Sequence, residues 1–118
     1  MYLGERLRTA DGATHPMAGA LPLAVWTEPR LVALGYVEAE IVLGDGAPLR
    51  ARGHEFHHSV LEAPAPSVLA TAYTLHDARG GRTWREGYRA RNVLASWVHL
   101  HFGSCPALAA RLLGEAVR

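Results

Sequence analysis

Arg52-Gly53-His54-Glu55-Phe56-His57-His58-Ser59 is the stretch whose backbone decides the fold. It gathers three of the chain's seven histidines, a carboxylate and an aromatic ring. His54-Glu55-Phe56-His57-His58 fits H-E-x-x-H, a zinc-hydrolase pattern that depends on a helix. A helix sets residues i and i+4 on one face, about 6 Å apart, within reach of one ion. A strand separates them by about 13 Å, too far to chelate together. Gly53 directly before His54 disfavours a helix interior, and Phe56, His58 and Val60 alternate with Glu55, His57 and Ser59 as on a strand. The extended pattern H-E-x-x-H-x-x-G-x-x-H also fails, because Leu61 stands at its glycine. The strand reading is preferred, and a zinc hydrolase using His54, Glu55 and His58 remains the lesser alternative.

Outward from this stretch, residues 31–43 carry strand-like material, Gly35-Tyr36-Val37 and Ile41-Val42-Leu43, that ends at the turn Gly44-Asp45-Gly46. That turn lacks the lysine and following helix of a phosphate loop. Residues 13–22 read as loop, and residues 1–8 as a short helix or helix end with no N-cap. Downstream, Ala63-Pro64-Ala65-Pro66 is a stiff break. Residues 68–75 and 84–88 are expected to form strands about a hairpin turn at 78–82. Residues 92–102 look like one buried strand. Ser104 is placed to cap a helix over residues 107–117, with Leu108, Leu112 and Val117 inward and Arg111 and Arg118 in water.

The chain has 118 residues, enough for one domain with a core. A 49% hydrophobic and 19% charged composition is that of a globular chain. The net charge of +1, with scattered basic residues, offers no nucleic-acid footprint. No apolar run approaches the ~20 residues of a membrane span. The N-terminus has no signal-peptide pattern, and the single cysteine excludes an internal disulfide. A cytoplasmic location is expected.

Six phrases in order resemble one family. They are Met1-Tyr2-Leu3-Gly4-Glu5, Met17-Ala18-Gly19-Ala20-Leu21-Pro22, Leu34-Gly35-Tyr36, the histidine-rich stretch itself, Glu86-Gly87-Tyr88, and Ala95-Ser96-Trp97-Val98-His99-Leu100-His101-Phe102. The chain resembles the C-terminal glutaminase domain of the cobyrinic acid a,c-diamide synthases, amidotransferases of the cobalamin pathway. In that family the usual phrase is RGHEFHYS, with tyrosine at the place of His58, which makes the H-E-x-x-H match accidental. The resemblance implies an α/β fold: the C-terminal portion of a flavodoxin-like class I glutamine amidotransferase domain, strand-rich with a C-terminal helix. It also implies glutamine hydrolysis through a cysteine thioester. The ammonia passes to a ligase domain that uses ATP and magnesium to amidate the a and c carboxylates of cobyrinate or hydrogenobyrinate.

By the same resemblance His99 is the catalytic histidine, general base toward the thiol and general acid toward ammonia. His101 stands where many class I glutaminases carry an orienting glutamate, so Glu55 is the carboxylate to test for that role. His57, His54 and Arg52 are candidates for the wall of the substrate site. The family nucleophile lies in a Cys-Gly-Gly turn just upstream of the Met-Tyr-Leu-Gly phrase, at which this sequence begins. Residues 1–118 are therefore expected to form a partial glutaminase domain, without the first strands, the nucleophile turn and the ligase domain. On this reading the chain holds no cofactor, and its partners are glutamine, a corrinoid acceptor through the ligase half, and a complementing chain or a second copy. A catalytically inactive remnant is the alternative. Cys105, near a helix N-terminus and two histidines, is the one thiol available to replace the nucleophile, outside the family's position for it.

Overall fold

In the computed structural model, residues 1–116 are described; the expected roles of Val117 and Arg118 lie outside them. The chain first builds β1 (Arg6–Arg8), β2 (Thr14–Pro16) and β3 (Ala24–Thr27). Then come the long strands β4 (Ala33–Ile41) and β5 (Leu49–His57), the short β6 (Ser59–Leu61), and the hairpin of β7 (Ala70–Asp77) with β8 (Thr83–Ala90). Strands β9 (Val93–Ala95) and β10 (His99–Leu100), a 3-10 turn at Phe102–Ser104 and helix α1 (Pro106–Ala116) complete it.

Six strands form an antiparallel sheet in the order β10-β5-β4-β7-β8-β9. Period-two patterning explains its two faces. Along β4, Val37, Ala39 and Ile41 turn inward, while Leu34, Tyr36 and Glu38 are exposed. The inward set packs with Ala51, Tyr73, Leu75 and Val98 into the main core, which Leu108 of α1 closes. A second sheet, β2-β1-β3-β6, is held by a parallel β1–β3 pair and antiparallel neighbours. Of the parallel pairing that a flavodoxin-like domain implies, the described residues contain this one pair. The backbone passes from one sheet to the other at His58, between β5 and β6. Glu28 and Val32 donate backbone N–H bonds to the carbonyls of His58 and His57 at this crossing (2.6 and 3.0 Å).

Several expectations need correction. Residues 1–8 are a turn leading into β1, not a helix. Their backbone groups are engaged instead by the following loop, Glu5 N–H donating to Leu23 O (2.8 Å) and Leu21 N–H to Leu3 O (2.9 Å). Residues 13–22 are loop except for β2. Residues 92–102 are not one strand: the chain pairs at β9, leaves the ladder at Ser96-Trp97-Val98, and pairs again on the opposite edge of the sheet at β10. Ser104 lies in the 3-10 turn, its hydroxyl donating to His101 O (2.6 Å) and accepting from Arg52 N–H (2.9 Å). Cys105 is the residue that precedes α1. Arg111 does not simply face water; its guanidinium donates to Ala47 O (2.6 Å) in the β4–β5 connection.

Candidate active site

Because β5 is a strand through His57, its side chains divide between two faces. Arg52, His54 and Phe56 face outward, where Phe56 is 54% exposed. Gly53, Glu55 and His57 face the interior. The helix that an H-E-x-x-H zinc site needs is absent from this stretch, so the zinc alternative loses its geometric basis.

Strand β10 sets His99 directly opposite His54, and Leu100 opposite Gly53. Opposed residues of an antiparallel pair share a face. His99 therefore joins His54 on the outer side, with ring centroids 6.3 Å apart, and Tyr36 flanks His54 at 5.5 Å. The close approach depends on Gly53, whose missing Cβ would stand 2.5 Å from Val98 Cγ1 and 3.3 Å from His99 O. His99 lines two clefts. One, of about 790 Å³, is walled by Tyr36, Arg52, His54, Leu100 and His101. The other, of about 410 Å³, is walled by Met1, His57, His58, Ser96 and Trp97. His99 is thus the side chain that these two hollows share, an accessible imidazole able to exchange a proton with a group in either.

Glu55 does not come to His99. It is buried at 6% exposure, and its Oε1 lies 3.6 Å from Nε2 of His57. Nδ1 of His57 donates to Ser59 O (2.9 Å), so the contact of Nε2 with the carboxylate is an ion pair only when the imidazole is protonated. Of the expected site residues, the fold thus groups Arg52, His54 and His99 around the larger cleft. His57 reaches the smaller one, and Glu55 is turned inward beneath it. His101 also walls the larger cleft, its N–H donating to Arg52 O (2.8 Å). Cys105 packs against the main core and lines neither cleft that holds His99.

Sequence reasoning did not single out Glu86 as a site residue. It is 4% exposed and lies under the segment that leads to His99. The Ser96 hydroxyl donates to Oε2 (2.6 Å) and the Trp97 N–H to Oε1 (3.1 Å). Burial raises the Glu86 carboxyl above its ordinary value; the bonds from Ser96, Trp97 and Gly87 oppose that shift, and the charge of Glu55 adds to it. The only advance signal was that Glu86 opens the phrase Glu86-Gly87-Tyr88. Gly87 itself has φ +74, and a Cβ there would meet the Tyr73 ring at 2.7 Å. Trp97 donates its indole N–H to Ser59 Oγ (2.7 Å), whereas Trp26 and Trp84 lie under the guanidinium groups of Arg8 and Arg82.

Residues 1–107 match the family described as a CobB/CobQ-like glutamine amidotransferase domain. The chain belongs to that family. Among its relatives, the cobyrinate a,c-diamide synthase of Leptospira interrogans is 34% identical over 122 residues, covering 100% of this chain and 27% of that protein. The synthase of Salmonella typhimurium is 35% identical over 121 residues, 100% of this chain and 26% of its own. That of Gloeobacter violaceus is 41% identical over 107 residues, 88% and 22%. The chain spans about a quarter of the length of these curated relatives. The family's amidotransferase domain is of the flavodoxin-like class I type, and this chain is α/β and strand-rich with a C-terminal helix. No helix among the described residues is long and apolar enough to cross a membrane.

Proposed function

We propose that this chain supplies the histidine side of the glutaminase centre of an amidoligase acting on the a and c carboxylates of cobyrinate or hydrogenobyrinate. The observation that carries this reading is the position of His99: at the start of a short strand on the sheet edge, opening on both clefts, in a chain of this family. In such a centre His99 takes the proton of a cysteine thiol. The thiolate adds to the glutamine carboxamide, and the proton is returned to the departing amine as ammonia leaves and the thioester remains. Water then releases glutamate.

The nucleophile is assigned to residues outside this sequence, because Cys105 belongs to the core side of the sheet. The smaller cleft, where Met1 meets His57, Ser96 and His99, is the place for it. Residues 1–118 are then part of a glutaminase domain completed by another segment or chain. Arg52, His54 and His57 form the wall around the bound glutamine. In the ligase half, ATP with magnesium activates the corrinoid carboxylates. Gly44-Asp45-Gly46 is a turn between two strands without the lysine of a phosphate loop, and the nucleotide is assigned to the other half. A cytoplasmic location suits this biosynthetic role.

Glutaminase assays test the reading, with the chain alone and with the cysteine-bearing segment added. Activity is expected only in the mixture and is lost with His99→Ala. Activity of the chain alone, abolished by Cys105→Ser, would instead make Cys105 the nucleophile. Inactivity of the complete mixture would favour an inactive remnant.

A further inference from the structure

We infer that the carboxylate orienting His99 is Glu86, which acts through the main chain of Ser96-Trp97-Val98 rather than by touching the imidazole. The inference rests on His99 being the glutaminase histidine, and it makes Glu86 a positioning residue. Between β9 and β10 the backbone has no ladder partners, so another group must fix it. Glu86 takes that place with both oxygens: Oε2 accepts the Ser96 hydroxyl and Oε1 the Trp97 N–H. Ser96 Oγ accepts in turn from Val98 N–H (2.9 Å), one residue before His99.

The Trp97 indole extends the clamp by donating to Ser59 Oγ, while the carbonyl of that serine receives His57 Nδ1. One carboxylate therefore fixes the entry to His99 and, through Trp97 and Ser59, the histidine on the other side of the smaller cleft. The carboxylate beside the histidines of β5, Glu55, lies against His57 and not His99. An acidic residue two positions after His99 is unnecessary if the backbone carrying the imidazole is already held. A glutamine at position 86 keeps an acceptor for Trp97 N–H. Its NH2 group, however, donates toward the Ser96 hydroxyl, whose own proton then has no acceptor.

The test compares wild type, Glu86→Gln, Ser96→Ala and the surface control Glu40→Gln. Histidine-ring and indole NMR resonances are recorded on the chain, and glutaminase kinetics on the assembled enzyme. Glu86→Gln and Ser96→Ala are each expected to move the His99 ring resonances and to speed exchange of the Trp97 indole proton. The His15 resonances, on the edge strand β2 of the other sheet, stay in place. Turnover falls about 100-fold with KM for glutamine held, the signature of a misplaced reacting group. Glu40→Gln changes none of these. His99 and Trp97 resonances and kcat at wild-type values in a folded Glu86→Gln would overturn the inference, and Ser96→Ala decides if that variant does not fold. Full activity in His99→Ala would instead overturn the functional reading, leaving the NMR arm to decide on Glu86 by itself.

Discussion

The two faces of β5 carry similar side chains and treat them in opposite ways. Inward, Glu55 lies 3.6 Å from His57, and His57, Ser59, Trp97, Glu86 and Ser96 are joined by a continuous series of hydrogen bonds. Outward, Arg52, His54 and Phe56 stand beside Tyr36 and His99 with ring-to-ring contacts only, open to solvent. Buried polar groups are costly unless bonded, so those on the inner face are fixed in one arrangement. Groups on the outer face stay available to a ligand. The strand uses its period of two to separate a bonded inner row from an accessible outer one.

Substitutions on either side of this division should differ in kind. The largest effect is expected on the open side. His99→Ala should reduce glutaminase turnover of the assembled enzyme by about 100-fold to 10,000-fold, the range for a general acid–base, while the urea midpoint of the chain stays close to wild type. On the closed side, Glu86→Ala leaves the Ser96 hydroxyl and the Trp97 N–H without their acceptor. It should cost about 1–3 kcal/mol of stability by urea unfolding. Gly53→Ala tests the seam between the faces: its new methyl group must displace Val98 and the β10 backbone, for about 1–3 kcal/mol and a shifted His99 ring signal.

A smaller and more diagnostic effect follows from pH. The native state holds the Glu86 proton more tightly than the unfolded chain does, because burial raises the carboxyl above 4.5. Its contribution is therefore most favourable below pH 4.5 and declines as pH rises through the native value. Glu86→Gln should flatten that decline in urea midpoints measured from acid to neutral pH; an unchanged slope would assign the dependence to other groups. Least of all, Phe56→Ser on the open side should change stability by no more than about 0.5 kcal/mol. A larger loss would mean that the outer face is packed against something.

The sequence made β4, β5 and the β7–β8 hairpin legible because their alternation is long and their turn residues are explicit. Gly53 was read correctly as a sign against a helix, though its reason, the approach of Val98 and His99, is a tertiary contact. The start of the chain was misread because residues 1–8 carry no alternation longer than Arg6-Leu7-Arg8, and their bonding comes from residues 14–26. Residues 92–102 were misread because apolar content alone does not reveal a chain that changes sheet edges. His99 was singled out by the family phrase alone. Its setting was not legible, since Glu86 lies ten residues before Ser96 and only the folded sheet brings them together. That Glu55 lies beside His57 and away from His99 was not legible either, because it depends on His99 pairing with His54 and on adjacent strand residues pointing apart.

Strand β10 is two residues long and pairs with a strand more than forty positions earlier in the sequence. Such a contact closes a large loop for little immediate gain, so it belongs to the late part of folding. The β4–β5 and β7–β8 hairpins can form first from local pairings, with His99 still unplaced. The order of these events, more than the stability of the finished fold, should govern how fast the β10 edge and its His99 come into place during refolding.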